Sequence, residues 1–228
     1  MKQNKQGCNL QSCFLCRLCT KEWLPAIDVH RKSFHVKKGE LLFREGDELT
    51  GIYFIYTGRF KVHKKWGDKE LIVRLATNGD ILGHRGLGTD ILYPISATAL
   101  EPSDVCFIDL EFFQATLKVN QHFLYELMMF FASELKESEK RMRNLAHMPV
   151  KGRVASSLLM LKQKFGTNTD GFIDMTLSRQ DLASYTGTTY ETVFRIMNEL
   201  ILANAVSVTG KDIKILDDKK LEGFTSDV

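Results

Sequence analysis

Hydrophobic positions along this 228-residue chain follow one period in its first half and another in its second. From about Phe34 to Asp109, short apolar runs alternate with glycine and aspartate. Leu41-Leu42-Phe43 precedes Gly46-Asp47, Ile52-Tyr53-Phe54-Ile55 precedes Gly58, Phe60 to His63 precedes Gly67-Asp68, and Leu71-Ile72-Val73 precedes Asn78-Gly79-Asp80. Runs this short, rich in β-branched and aromatic residues and broken by turn formers, predict strands joined by tight turns. Seven or eight such runs between those limits predict an antiparallel roll or barrel.

After Asp109 the period becomes helical. Leu124, Met128, Phe131, Leu135, Ser138, Met142 and Leu145 are separated by 4, 3, 4, 3, 4 and 3 residues, the a/d seam of a coiled coil with only Ser138 polar. The flanks Glu134, Lys136, Glu137, Glu139, Lys140, Arg141 and Arg143 are mixed in sign and expected to be solvated. The seam predicts either a helix packed on its own domain or a parallel dimer helix; its length favours the dimer. Pro149 closes the segment. Val154, Leu158, Leu159, Leu161 and Phe165 then sit at helical spacing up to Gly166, and a brief strand is expected over Phe172 to Leu177. Ala205 to Val208 and Ile213 to Leu216 flank a turn at Thr209-Gly210-Lys211, which predicts a terminal hairpin.

Between the strand and the hairpin lie two helix starts. Ser178 with Asp181, and Thr188 with Glu191, fit capping boxes ten residues apart, so the first helix is short and the turn tight. Ala183 is small where the helices would cross, Gly187 suits a positive φ, and Val193 closes the pair. This is helix-turn-helix spacing. Thr188, Thr189, Tyr190, Glu191, Phe194 and Arg195 open the second helix, with Tyr190, Glu191, Phe194, Arg195 and Asn198 on its exposed face. Glu191 can accept from cytosine N4, and Arg195 can clamp guanine O6 and N7, so double-stranded DNA is the expected partner. The bland alternative is that Glu191 caps its helix and pairs with Arg195, four residues on. Lys/Arg and Asp/Glu are equal in number from 151 to 228, so basic groups must act by placement. Arg179 at a helix start and Lys211 in the hairpin turn are the candidates for phosphate.

Composition adds exclusions. Hydrophobic residues are 44%, charged residues 26% and the formal net charge +3, which is ordinary globular usage. No apolar run approaches a membrane span, and the first fifteen residues are polar, so a soluble cytoplasmic protein is expected. No paired carboxylates, nucleophile with a base, or phosphate loop marks an enzyme, and an iron-sulfur or thiol enzyme is the remote alternative. Of the five cysteines, Cys8, Cys13, Cys16 and Cys19 fall within twelve residues and Cys106 stands apart. The compact Cys13-x2-Cys16-x2-Cys19 run suits an iron-sulfur cluster. Zinc on the four N-terminal thiols, or unligated structural or redox thiols, remain open.

A glycine-punctuated β-roll, a long dimer helix and a winged helix-turn-helix together resemble the CRP/FNR family of bacterial transcription regulators over nearly the whole chain. The resemblance rests on the stretches from Gly39 to Asp47, Gly58 to Val62, Gly79 to Gly83 and Tyr190 to Arg195. It implies an α+β chain with a cyclic-nucleotide-binding-like antiparallel β-roll over 21–115 behind a Cys-rich segment over 1–20. A dimerisation helix over 116–148 and a winged helix-turn-helix over 149–228 would follow. It also implies a homodimer on a palindromic site, with RNA polymerase as a partner, and Glu191 and Arg195 as readers of the core bases. Phe194 departs from the small residue common at its position. The cyclic-nucleotide branch uses Gly-Glu and Arg-Ser/Thr where this chain has Gly83-His84 and Ile95-Ser96, so cyclic AMP is not expected. The FNR branch is closer, and implies an oxygen-labile 4Fe-4S iron-sulfur cluster on Cys13, Cys16, Cys19 and Cys106. The third interval here is two residues where FNR has five, which makes Cys8 a possible substitute. The rival is a family member answering an organic or haem effector, with its cysteines incidental or zinc-binding.

Overall fold

The computed structural model describes residues 1–4, 11 and 13–225, and the chain divides into two units, 1–66 with 73–134 and 67–72 with 135–228. The first half of the sequence forms strands β1 (Lys2–Asn4), β2 (Lys32–Val36), β3 (Leu41–Phe43), β4 (Gly51–Thr57), β5 (Phe60–Trp66), β6 (Lys69–Ala76), β7 (Ile81–Leu82), β8 (Ser96–Ala99) and β9 (Ser103–Asp109). One sheet runs β1-β2-β9-β4-β7 and the other β3-β8-β5-β6. The β2–β9, β4–β9, β4–β7, β3–β8 and β5–β8 pairs are all antiparallel, the expected roll. Gly58 makes one of the tight turns: its φ is +107°, and a Cβ there would fall on the Ser103 side chain.

Strand β4 reads as an unbroken apolar run because it lies inside its sheet and is buried along Gly51–Ile55. Its Phe54 meets Phe113 at 6.5 Å, and Phe113 stands edge-on to Phe123 at 5.9 Å. These three rings are nearly or wholly buried, and each contributes on the order of 1.5–3 kcal/mol through burial. They join the strands to α2 (Leu110–Val119), whose N-cap Asp109 accepts from the Phe112 N–H, and to α3 (Gln121–His147). Upstream, α1 (Leu24–His30) leads into β2.

Where the sequence predicts one helix over 116–148, the chain makes two, broken at Asn120. The reason is local: buried Asn120 donates from Nδ2 to the Thr116 carbonyl (3.1 Å) and accepts the Thr20 N–H at Oδ1 (2.9 Å). An amide side chain bonding the backbone in this way competes with helix continuation. Helix α3 spans 27 residues, about 40 Å at the α-helical rise.

The second unit contains α4 (Val150–Phe165), α5 (Arg179–Thr186), α6 (Tyr190–Leu202), the hairpin β10 (Val206–Thr209) and β11 (Asp212–Ile215), and α7 (Asp218–Gly223). Val154, Leu158, Leu182, Val193 and Leu200 form its core, and Ala183 is fully buried as its small size predicts. The expected strand over Phe172 to Leu177 is only an isolated bridge, Thr167 to Ile173. Asn168 Oδ1 accepts from the Asp170 and Phe172 N–H groups there and turns the chain before a ladder can form.

No helix among the described residues is long and apolar enough to cross a membrane.

Candidate nucleic-acid interface and thiol site

The helix-turn-helix is built from two caps and one glycine. Ser178 Oγ accepts the Asp181 N–H at 2.9 Å and starts α5. Gly187 ends it at φ +64°, and the Thr188 N–H returns to the Ala183 carbonyl at 3.0 Å. The second cap falls one residue later than its sequence pattern suggests. Thr189, not Thr188, is the N-cap of α6, accepting the Thr192 N–H at 3.3 Å. Thr188 has already been drawn into the turn by its bond to Ala183. Arg153 of α4 donates to the carbonyls of Met148 (2.8 Å) and Thr186 (2.9 Å), tying the turn to the end of α3; no local pattern marks that role.

Helix α6 buries Val193, Ile196, Met197 and Leu200 and exposes Tyr190, Glu191, Phe194, Arg195 and Asn198 on the opposite face. Tyr190 and Phe194 stack at 6.5 Å. Arg195 does not pair with Glu191. Its Nη1 lies 2.6 Å from Glu199 Oε1, and Glu199 also holds Lys151 Nζ at 3.3 Å. Glu199 thus bridges two cations. Glu191 is left exposed, without an ion-pair partner among the described residues, in the first turn of its helix where the dipole favours a negative charge. Lys211 is exposed in the two-residue turn between Thr209 and Asp212. Arg179 is half-buried; burial pulls its guanidinium below the ordinary value, and its Nη1 has no hydrogen-bond partner among the described residues.

The thiol-bearing segment packs on the roll. Leu15 is buried, Phe14 lies against Phe123 (5.9 Å) and Phe130 (5.5 Å), and the Cys19 N–H reaches the Leu15 carbonyl at 3.1 Å. Trp23 stacks on Phe112 at 5.7 Å and donates its Nε1–H to Thr116 Oγ1 at 3.1 Å. Cys13 and Cys16 are buried in the same apolar cluster as Cys106, which sits on β9 between Ser33 of β2 and Phe54 of β4. Burial, and then the neighbouring Cys13, push the Cys19 thiol up to about 12. Cys8 lies outside the described residues. No three His, Cys, Asp or Glu side chains among the described residues stand as a ready metal site. The donor chemistry nevertheless fits a thiolate-held centre: these are soft ligands in an apolar wall, where a metal cation would offset the cost of ionising them.

On α3, Leu124, Met128, Leu135, Ser138 and Met142 are exposed, whereas Phe131 packs on the core of the roll and Leu145 is half-buried. Leu145 approaches the Gly187 turn, where a Cβ would lie 2.6 Å from its Cδ2. Of the positions expected to differ from nucleotide-binding relatives, His84, Ile95 and Ser96 are buried, and Ser96 Oγ already accepts the Glu45 N–H at 2.9 Å.

Comparison with known proteins places these sites in context. The family described as "Cyclic nucleotide-binding domain" matches residues 33–120, and "Crp-like helix-turn-helix domain" matches 152–224. The anaerobic regulatory protein of Bacillus subtilis is 30% identical over 191 residues, covering 82% of this chain and 79% of that protein. The transcriptional activator protein anr of Pseudomonas aeruginosa is 28% identical over 221 residues, covering 92% and 90%. Among solved structures, FixK2 from Bradyrhizobium japonicum superposes with a TM-score of 0.77 at 22% identity, over 87% of this chain and 98% of its own.

Proposed function

Since the chain belongs to the CRP/FNR family of DNA-binding transcription regulators, we propose that it acts as a homodimer on a palindromic operator under the control of an oxygen- or redox-labile iron-sulfur cluster. What carries the dimer is the outward face of α3. Met128 is 55% exposed, Leu135 61% and Met142 66%, a row of large apolar side chains at seam spacing that a lone protomer leaves in water. Two such helices in parallel would carry two copies of α6, to be spaced about 34–36 Å apart for successive major grooves. Glu191 and Arg195 would then meet base edges, with Arg195 leaving Glu199 for guanine. Thr188, Thr189, Tyr190, Phe194, Arg179 and Lys211 would set register against the backbone and flanking bases. The dimer would work in the cytoplasm beside RNA polymerase.

The cluster would be held by Cys13, Cys16, Cys19 and Cys106, and when bound it would supply an iron-sulfur core whose loss in oxidant reports the signal. Three of these thiols are buried in one apolar cluster, and the fourth is half-buried beside Cys13. The Thr20 N–H on Asn120 and the Trp23 indole on Thr116 tie the thiol segment to the corner where α2 meets α3. Order or disorder of that segment is therefore felt at the root of the dimer helix.

The test is anaerobic reconstitution with ferrous iron and sulfide, followed by sedimentation and DNA footprinting on the same sample. Each protomer should take up about four iron and four labile sulfide, sediment as a dimer and protect two half-sites one turn apart. Air should abolish the absorbance and the footprint together, and Cys106→Ser should lack both. Stoichiometric zinc without sulfide, or a full spectrum in Cys106→Ser, would overturn the cluster assignment. A monomer under every condition would overturn the dimer.

A further inference from the structure

Within the roll unit, three side chains converge on a single carboxylate. Arg85 Nη2 donates to Glu134 Oε2 at 2.6 Å, Arg74 Nε lies 3.3 Å from Oε1, and His84 Nε2 lies 3.8 Å from Oε2. Aromatic rings wall one side of the site. The Arg74 guanidinium lies 5.3 Å over the Phe130 ring, and His84 is wedged edge-on between Phe130 (5.1 Å) and Phe131 (5.3 Å). Arg74 is held independently of the carboxylate, donating Nη1–H to the Ile81 carbonyl at 2.9 Å and lying 3.2 Å from Asp80. His84 is 2% exposed; its Nδ1 has no hydrogen-bond partner among the described residues, and its Nε2 has only the long contact to Glu134. A buried imidazole with an open nitrogen beside two half-buried guanidiniums is a receptor for an anion, and one carboxylate leaves its capacity partly unused.

We propose that Arg74, Arg85 and His84 form a carboxylate-binding site in the β-roll whose resident ligand is the chain's own Glu134. The anion is tethered to α3 at the last residue of that helix within the roll unit, next to exposed Leu135. Seating it fixes the rotation of α3 about its axis, so that Phe123, Leu127 and Phe131 turn inward while Leu124, Met128 and Leu135 turn outward. Glu134 is thus a positioning residue for the seam. This last consequence rests on the dimer proposed above; the anion site does not.

Glu134→Ala should open a hole that a free small carboxylate can fill. Acetate or propionate should bind this variant saturably, raising its melting temperature by about 4 °C at saturation. Acetamide, of the same shape but neutral, should not, and wild type should show no such shift. Adding Arg85→Met to the variant should remove the effect. An equal response to acetate in wild type, an equal response to acetamide, or none in Glu134→Ala would overturn the site. Should Glu134→Ala not fold, Glu134→Gln keeps the shape without the charge: it should melt lower than wild type and dimerise more weakly, and unchanged melting would overturn the proposal. Wild type that is monomeric throughout would remove the dimer and its seam, while the acetate measurement still decides the anion site.

Discussion

Replacing Glu134 by glutamine should make the stability difference from wild type depend on pH, in a direction the surroundings dictate. Burial alone would push this carboxyl up from its ordinary 4.5; His84, Arg74 and Arg85 outweigh it and hold the group at about 2. At about 1.4 kcal/mol per pH unit of displacement, that is about 3 kcal/mol in favour of the folded, ionised state. The side chain is only 19% exposed, so solvent screens little of it. A depressed carboxylate contributes in full above its unfolded value and less as the pH drops towards the folded one. Wild type should therefore exceed Glu134→Gln by about 3 kcal/mol at pH 6, with the gap closing between pH 4.5 and 2 by about 1.4 kcal/mol per pH unit. The charged and titratable groups that face this carboxylate are Arg74 of β6, with its partner Asp80, and Arg85 and His84 in the turn after β7. Burial holds His84 below its ordinary 6.5 and Glu134 pulls it part of the way back. Its protonation therefore destabilises the fold as pH falls, and does so more in Glu134→Gln, which lacks that pull. The gap is accordingly read with His84→Gln added to both proteins. Urea unfolding of the two proteins across this range measures the gap. A difference that stays constant from pH 7 to 3, or none at pH 6, would refute the electrostatic account.

Three further outcomes follow from other parts of the molecule. Leu135→Glu should leave thermal stability within about 0.5 kcal/mol, because the position is exposed in the protomer, yet weaken dimerisation at least thirtyfold, about 2 kcal/mol, in sedimentation equilibrium. Arg195→Ala should cost about 1–3 kcal/mol of discrimination at one base pair with little change in salt dependence, whereas Lys211→Ala should weaken all sequences alike and lower the salt slope by about 1; fluorescence anisotropy with operator variants separates the two. Gly187→Ala forces an alanine to φ +64° and displaces Leu145, and should lower stability by about 1–3 kcal/mol in thermal unfolding.

The roll was legible because its code is local. Apolar runs of strand length ending at Gly58, Gly67 or Asn78-Gly79 state where each strand stops, and the structure places eight strands between Lys32 and Asp109. The helix-turn-helix was legible for a related reason, since Ser178, Ala183, Gly187 and Val193 each answer a backbone or packing requirement fixed by spacing. Side-chain partners were less accessible. Glu191 and Glu199 both stand four residues from Arg195, and no count along the helix says that Glu199 takes it while also holding Lys151 of another helix. The seam has the same weakness: Phe131 satisfies its period but belongs to the core of the roll, which no count along the helix reveals. Least legible was the Glu134 site, since the sequence places Glu134 on a solvated flank and the structure half-buries it against Arg74 and Arg85. Its members lie 49 to 60 residues from that carboxylate in sequence, and the topology of the roll alone brings them together.

The two tryptophans occupy opposite environments, and that makes the chain its own optical instrument. Trp66, at the tip of the β5–β6 hairpin, is 88% exposed, while Trp23 is stacked and hydrogen-bonded against α2 beside the thiol segment. Emission from Trp66 should be red and open to quenching by iodide; emission from Trp23 should be bluer and shielded. Release of the thiol segment would move the second signal and leave the first as an internal standard, so docking could be followed in real time without attaching any dye.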